Sequence, residues 1–164
     1  MTAIESGDGC FFCDEFRNRE NVIYENGVFR ARIDLFPVSP GHVEVLPKKH
    51  IISLLDLTKE DWVSLGTAIT EAVHLVESIS FRKIYTRLLE NPINDSAAIH
   101  YRKMLNHPGI NKKPDGWNYG VNDGETAGRT IPHLHVHIIP RFEGDVENPK
   151  GGIRNIIPGM GNYS

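Results

Sequence analysis

The alternation of apolar and polar residues in the first third of the chain predicts β-strands at 22–24, 28–34 and 42–47. The first two strands flank Asn26-Gly27, a pair that supplies the positive φ angles of a tight hairpin turn. Strands that follow one another through short turns favour antiparallel pairing. The beginning of the chain therefore indicates an antiparallel sheet.

Apolar side chains spaced three and four residues apart from Trp62 to Ile79 predict a long amphipathic helix. Its apolar stripe is expected to cover one face of the sheet. Thr58 is the expected N-cap, because its hydroxyl can accept from a free amide and acidic residues follow it. The pattern continues to Leu88, so the helix either extends or restarts before Pro92 ends it.

The remaining segments are less regular. Residues 91–116 are rich in proline, asparagine and glycine, and we expect an insertion or a lid-like excursion with a short helix at 96–105. Another strand is predicted at 117–122. Residues 1–9 are expected to be a flexible start, and residues 144–164 a C-terminal loop and tail.

A last predicted strand carries three histidines at every second position, His133, His135 and His137, separated by aliphatic residues. In an extended strand the imidazoles share one face and the aliphatic residues share the other. The outer pair would lie about 13 Å apart, so one ion cannot readily bind all three. A neutral imidazole is a good nucleophile near pH 7, which points to attack on an electrophile such as phosphorus.

Composition narrows the partners. The 164 residues fit one domain, and a net charge of -3 gives no general attraction to nucleic acid or membrane surfaces. No apolar run has transmembrane length and no signal-peptide pattern is visible, so a cytoplasmic enzyme is the default expectation. Cys10 and Cys13 form a C-x-x-C pair. This pair is consistent with half of a zinc site, with redox chemistry or with buried thiols.

The stretch from Gly128 to Arg141 resembles the signature of the histidine triad (HIT) family, His-x-His-x-His followed by two apolar residues. The resemblance extends back to Cys10. It implies an α+β fold, a five-stranded antiparallel sheet with a long helix packed on one face, in a single domain over 1–164. It also implies a nucleotide substrate and a homodimer in which two sheets join into a continuous ten-stranded sheet.

The resemblance assigns a role to individual positions. His135 matches the nucleophile, which would form a covalent nucleotidyl-histidine, and His137 and His42 match groups that donate hydrogen bonds to the α-phosphate. His42 shares a face of its predicted strand with Glu44. Asp34 matches an Asp or Asn that holds the ribose hydroxyls in relatives. The other residues expected to contact the nucleotide or its phosphates, whether by resemblance or by their glycine and arginine chemistry, are Asn122, Gly128, Arg129, Thr130 and Arg154. A packed tail is the alternative for Arg154.

The resemblance also completes the metal site. Members that begin with C-x-x-C hold zinc with both cysteines, the histidine of a Lys-x-His segment and the first histidine of the triad. The matching positions here are Cys10, Cys13, His50 and His133. This closed set suits structural zinc and leaves no open position for catalysis. A divalent cation that binds together with the substrate is a further expectation.

Two features of the resemblance favour different substrates. Pro140-Arg141 and the turn at 40–43 are similar to enzymes that hydrolyse dinucleoside polyphosphates, whereas the C-x-x-C set is similar to a bacterial branch that includes phosphoramidate hydrolases. We rank diadenosine tri- and tetraphosphate first, because Arg129 and Arg154 add charge for a longer phosphate chain. Phosphoramidate hydrolysis, nucleotidyl transfer or phosphorolysis, and non-catalytic nucleotide binding are the alternatives.

Overall fold

The computed structural model describes residues 9–15, 21–158 and 160–161, so most of the predicted flexible start lies outside the described residues. In chain order the elements are α1 (Phe11–Glu15), β1 (Val22–Glu25), β2 (Phe29–Ile33), β3 (Val43–Pro47), α2 (Lys59–Ser78), α3 (Phe81–Glu90), α4 (Asp95–Leu105), β4 (Gly116–Gly120) and β5 (Val136–Arg141). Short 3-10 helices occur at Leu54–Asp56, Glu125–Ala127 and Gly152–Ile156.

The strands form one five-stranded antiparallel sheet in the order β1-β2-β3-β5-β4. This confirms the predicted α+β fold. The hairpin of β1 and β2 turns at Asn26, whose side chain accepts hydrogen bonds from the amides of Val28 and Phe29 at 2.9 and 2.8 Å. β5 lies between β3 and β4, so the chemistry at its start is placed inside the sheet and away from both edges.

β5 is shorter at its start than the sequence predicts. The strand contains His137, whereas His133 and His135 precede it. The amide of Leu134 donates to the carbonyl of Ile51 at 2.6 Å, so the chain here bonds to a loop and not to a neighbouring strand. The prediction of one strand that carries all three histidines is therefore wrong, although Leu134 and the histidines before β5 are buried as a packed segment.

α2 begins as its sequence predicts. The hydroxyl of Thr58 accepts from the amide of Asp61 at 3.1 Å, and the carboxylate of Asp61 accepts from the amide of Thr58 at 3.0 Å. Each side chain thus satisfies a backbone donor that the first helical turn leaves free. The helix ends at Ser78 and a second helix begins at Phe81, so the restart is the correct alternative.

α2 packs on the sheet through a narrower stripe than predicted. Its buried residues are Leu65, Ala68, Ala72 and Val76. The two alanines let the helix approach β1, β2 and β3 closely, while Trp62, at one end of the predicted stripe, remains 50% exposed. Small residues therefore occupy the closest contact, and the larger apolar residues flank it.

The segment 91–116 contributes to the core. α4 begins at Asp95, close to the predicted start, and Ala97, Tyr101 and Met104 are buried in the same cluster as the sheet residues. Tyr101 stacks on Tyr85 of α3 with ring centroids 6.0 Å apart. Whether this segment also closes over a ligand stays a prediction. Among the residues that the structure describes, no helix is long and apolar enough to cross a membrane.

The turn before β3 is fixed from the helical layer. The hydroxyl of Tyr85 accepts from the amide of Gly41 at 3.0 Å, and Gly41 has a φ of +88°. A Cβ at this glycine would lie 2.9 Å from Cγ1 of Val76, so only glycine fits the turn without movement. The contact sets the position of His42, the next residue in the chain.

Candidate active site

A row of polar residues crosses the face of the sheet opposite α2. The register places Arg32 of β2 directly opposite Glu44 of β3, and Glu44 directly opposite His137 of β5. Arg32 and Glu44 are both buried. The Arg32 guanidinium lies 5.7 Å and 5.3 Å from the ring centroids of Phe11 and Phe12.

His135 is held as a neutral imidazole with a defined tautomer. Its Nδ1 lies 2.7 Å from the carbonyl oxygen of His133, and because a carbonyl only accepts, Nδ1 carries the proton. The lone pair is then on Nε2. Burial lowers the pKa of His135. The Phe12 and His135 rings pack edge to face, with their centroids 5.1 Å apart. A neutral, oriented ring with a free lone pair can act as a nucleophile.

His42 and His137 form a chain of hydrogen-bonding groups with Asp34. Nε2 of His42 lies 3.0 Å from Nδ1 of His137. Nδ1 of His42 accepts from the amide of Val38 at 3.4 Å and also lies 3.3 Å from Oδ2 of Asp34. Burial lowers the pKa of both histidines, that of His137 to about 4, with His42 and His135 adding to the effect. This series of hydrogen-bonding groups leaves Nε2 of His137 available to a phosphate oxygen or a leaving group.

Glu44 is a titratable group in this cluster that was not among the predicted site residues. One carboxyl oxygen lies 3.7 Å from Nε of Arg32 and the other lies 4.0 Å from Nδ1 of His137. Burial, the neighbouring carboxyl of Asp34 and a hydrogen bond to it raise the pKa of Glu44 to about 8, against the opposing effect of Arg32. The sequence predicts that Glu44 shares a strand face with His42, but it does not predict that Glu44 is buried.

A second cluster joins the N-terminal helix to the segment before β5. Cys10, Cys13, His50 and His133 each offer a ligand atom, and these atoms all lie within 4.8 Å of one another. Sγ of Cys10 and Sγ of Cys13 are both 3.6 Å from Nδ1 of His133, and Sγ of Cys13 is 3.3 Å from Nδ1 of His50. Sulfur and nitrogen bound tetrahedrally to zinc lie about 3.6 Å apart, so the donors fit such an ion.

The outer nitrogen of His133 supports this interpretation. Nε2 lies 2.9 Å from the carbonyl oxygen of Pro47 and must donate to it, which leaves the lone pair on Nδ1, toward the cysteines. Burial lowers the pKa of His133 to about 4, so the ring is neutral and able to ligate. These four residues can therefore hold a metal ion.

The predicted phosphate contacts are more dispersed. Asn122, Gly128, Arg129 and Thr130 lie on the loop between β4 and β5. Arg129 donates to the carbonyl of Ile52 at 3.1 Å, which ties this loop to the segment that leads into α2. Arg154 is exposed on the 3-10 helix beside β4, at the edge of the sheet, and is not part of the histidine cluster.

The structure thus brings four of the predicted residues, Asp34, His42, His135 and His137, into one buried cluster. A five-stranded antiparallel sheet with such a cluster of histidines in and before an interior strand is the arrangement of the histidine triad class of proteins. The HIT domain model matches residues 15–144, and the chain belongs to this family.

Curated relatives in this family act on dinucleoside polyphosphates. The chain is 31% identical over 130 residues to a bis(5'-adenosyl)-triphosphatase from Dictyostelium discoideum, covering 79% of this chain and 66% of that protein. It is 28% identical over 134 residues to an asymmetrical bis(5'-nucleosyl)-tetraphosphatase from Schizosaccharomyces pombe, covering 82% and 56%. An AP-4-A phosphorylase from Mycobacterium tuberculosis is 26% identical over 133 residues, with 80% and 52% covered. The chain therefore spans between half and two-thirds of these relatives' lengths.

Solved structures agree with the fold. A protein from Streptococcus mutans UA159 superposes with a TM-score of 0.58 at 26% identity, covering 90% of this chain and 75% of that one. A hypothetical histidine triad nucleotide-binding protein from Sulfolobus tokodaii strain7 gives a TM-score of 0.54 at 29% identity, covering 83% and 71%.

Proposed function

We propose that this protein hydrolyses dinucleoside polyphosphates, such as diadenosine tri- and tetraphosphate, at the α-phosphate. The observation that carries the proposal is His135, whose Nδ1 is fixed by a backbone carbonyl 2.7 Å away and whose Nε2 is free to attack. Two relatives whose names describe polyphosphate hydrolysis support the choice of substrate.

The proposed reaction has two displacements. Nε2 of His135 attacks the α-phosphorus, a nitrogen–phosphorus bond forms, and the phosphoanhydride bond breaks so that the leaving phosphate departs with the electron pair. Water then attacks the same phosphorus, releases the nucleoside monophosphate and returns the electron pair to His135. His137 is proposed to donate a hydrogen bond from Nε2 to the phosphate oxygens, where negative charge increases in the transition state, and His42 to hold Nδ1 of the His137 ring.

The test combines a substrate panel with trapping of the intermediate. Diadenosine triphosphate, diadenosine tetraphosphate, an adenosine phosphoramidate and a nucleotide sugar are turned over by the wild-type protein and by His135→Ala. We expect loss of activity by about a thousandfold or more in the variant, because the nucleophile is removed. His74→Ala on the exposed side of α2 is the matched control. Full activity in His135→Ala, or no labelled nucleotide on the quenched wild-type protein, would refute the proposal.

Phosphorolysis is the second candidate, because one relative is a phosphorylase. In that reaction inorganic phosphate replaces water in the second displacement, so the product gains one phosphate. Turnover of diadenosine tetraphosphate with and without inorganic phosphate separates the two reactions, since hydrolysis releases adenosine monophosphate and phosphorolysis releases the diphosphate. Phosphoramidate hydrolysis, the third candidate, rests on the C-x-x-C pair alone.

The metal is proposed to be structural zinc at Cys10, Cys13, His50 and His133. The set is closed and chemically suited to zinc, which when bound would cross-link α1 to the segment that precedes the nucleophile. Elemental analysis of protein purified without chelator should find about one zinc per chain, and the Cys10→Ser variant should lose it. A metal-free wild-type protein would contradict this assignment.

The remaining site residues are also proposals. Asn122, Gly128 and Thr130 are proposed to contact the phosphates from the loop before β5, and Arg129 to favour longer phosphate chains. Arg129→Gln should slow hydrolysis of tri- and tetraphosphates more than that of a phosphoramidate, because it removes a fixed positive charge. Equal losses would remove Arg129 from the site. A homodimer, a divalent cation with the substrate and a role for Arg154 at the phosphates rest on the family resemblance and arginine chemistry.

A further inference from the structure

Glu44 is a buried carboxyl to which the proposed reaction assigns no role. It stands at the middle of the polar row, with Arg32 on one side and His137 on the other, and it is 6% exposed. Burying a carboxyl is costly unless charged or hydrogen-bonding groups surround it. Its presence next to a histidine that is proposed to contact the phosphate requires an explanation beyond packing.

The two carboxyl oxygens of Glu44 face different partners. Oε2 is 3.7 Å from Nε of Arg32, and Oε1 is 4.0 Å from Nδ1 of His137. That same Nδ1 is 3.0 Å from Nε2 of His42. Oδ2 of Asp34 also faces this nitrogen, at 3.8 Å. Nδ1 of His137 can therefore either accept a hydrogen bond from Nε2 of His42 or carry a proton itself, toward the carboxyls of Glu44 and Asp34, and these arrangements exclude each other.

We propose that Glu44 is a positioning residue that decides which ring nitrogen of His137 carries the proton in the proposed phosphate chemistry. A neutral Glu44 leaves Nδ1 of His137 as an acceptor for His42, so Nε2 keeps its proton and donates to the phosphate. An ionised Glu44 draws the proton to Nδ1, and Nε2 then presents a lone pair that repels phosphate oxygens.

The surroundings favour the neutral form near pH 7. Burial first, and then the adjacent Asp34 carboxyl with its hydrogen bond, raise the pKa of Glu44 to about 8, while Arg32 opposes the shift. The charged or titratable groups that face Glu44 from the packed elements are Arg32, Asp34, His42, His135 and His137. α1 contributes the rings of Phe11 and Phe12 over Arg32.

A purely structural role makes a different prediction. If Glu44 only balances the buried charge of Arg32, then its ionisation has no bearing on His137. Replacing both members of a buried ion pair by apolar residues is often neutral for stability, whereas removing one member is destabilising. The double variant Arg32→Met with Glu44→Met therefore removes the pair without leaving a lone buried charge.

The first measurement needs no substrate. Nitrogen chemical shifts of the His137 ring, recorded across a pH series on the whole protein, should show a change from the Nε2–H to the Nδ1–H tautomer near pH 8. The change should be absent in Glu44→Gln and in the double variant. Glu25→Gln is the matched control, because Glu25 also pairs with an arginine of β2, Arg30, at 2.9 Å. Identical tautomer changes in the wild-type protein and Glu44→Gln would overturn the inference.

The second measurement is the pH profile of kcat on whichever substrate the panel identifies. Above the Glu44 pKa, the wild-type kcat should fall by about tenfold per pH unit, as a single proton is lost. Glu44→Gln and the double variant should stay within about twofold of their neutral-pH values over that range. The same alkaline fall of kcat in the wild-type protein, Glu44→Gln and the double variant would overturn the inference. Only the kinetic measurement rests on the proposed function. If the protein turns over none of the substrates, the tautomer measurement alone decides the inference.

Discussion

At the scale of single residues, Asp34 has contacts that suggest a second role beside the expected one. The resemblance assigns it to the ribose, and in addition its Oδ1 accepts from the amide of Phe36 at 2.7 Å and its Oδ2 lies 3.3 Å from Nδ1 of His42. A carboxylate in that position orients the imidazole and stabilises its protonated form. Asp34 is thus placed to act on the phosphate through His42 and His137.

A substrate without ribose hydroxyls separates the two roles of Asp34. We expect Asp34→Asn to lower kcat by about tenfold or more on both the ordinary nucleotide conjugate and its 2',3'-dideoxy analogue, because the histidine chain is weakened in both. Steady-state kinetics on the matched pair of substrates measure this. A loss that disappears with the dideoxy analogue would assign Asp34 to the ribose alone.

Glu44 also makes the free energy of unfolding depend on pH. Its pKa is raised from 4.5 to about 8 in the folded protein, so the folded state binds the proton more tightly than the unfolded state. This contribution is fully present below the unfolded pKa and is lost as pH rises through the folded value. Urea unfolding should show the wild-type protein losing stability relative to Glu44→Gln between about pH 5 and about pH 9. A constant difference across that range would contradict the assigned shift.

The histidines of the site are predictable from the sequence, whereas the charged residues beside them, Arg32 and Glu44, are not. The spacing of His135 and His137, together with the family signature, predicts the groups that carry the chemistry. Arg32 and Glu44 alternate with core residues, a pattern typical of a solvated strand face. Their burial depends on tertiary contacts, such as those of Phe11 and Phe12 with Arg32, that no local pattern specifies.

At the scale of elements, the start of α2 is a local feature that the sequence predicts in full. Thr58 and Asp61 satisfy each other's backbone amides, and neither depends on distant contacts. Thr58→Ala should lower the free energy of unfolding by about 1 kcal/mol, since one cap hydrogen bond is lost. Thr67→Ala, within the exposed part of the same helix, should change it by less than about 0.5 kcal/mol. Equal effects of the two substitutions in urea unfolding would show that the cap is not important.

The start of β5 is the opposite case. Alternation predicts a strand through all three histidines, but a strand also requires a neighbour with free backbone groups. β3 pairs with β5 only from Val136 onward, and the amide of Leu134 bonds to Ile51 instead. A single-segment pattern does not contain information about where a partner strand ends.

At the scale of the whole molecule, the N-terminal helix depends on the fold around it. α1 has five residues, too few for a helix that is stable alone. It is held by the Phe12 ring against His133 and His135, and by the four donors that can hold a metal. The aromatic rings of α1 in turn cover Arg32 in the polar row of the sheet.

Metal removal should therefore open one side of the site. We expect prolonged chelation to lower Tm and to increase amide hydrogen exchange at 11–15 and at 133–135, because α1 loses its cross-link. Exchange in α3 and α4 should stay unchanged, since their buried contacts lie in the main core. Uniform exchange across the protein after chelation would indicate global unfolding and contradict a local role.

His133 faces the metal cluster with its ring and supports His135 with its main-chain oxygen. A substitution replaces the ring and keeps the oxygen. The four-donor cluster and the nucleophile both depend on His133, but on different parts of it. A substitution at this position can therefore remove the metal ligand without removing the support of His135. A homologue that lacked the four donors would keep the same tautomer of His135, provided that an apolar contact held the N-terminal helix in place.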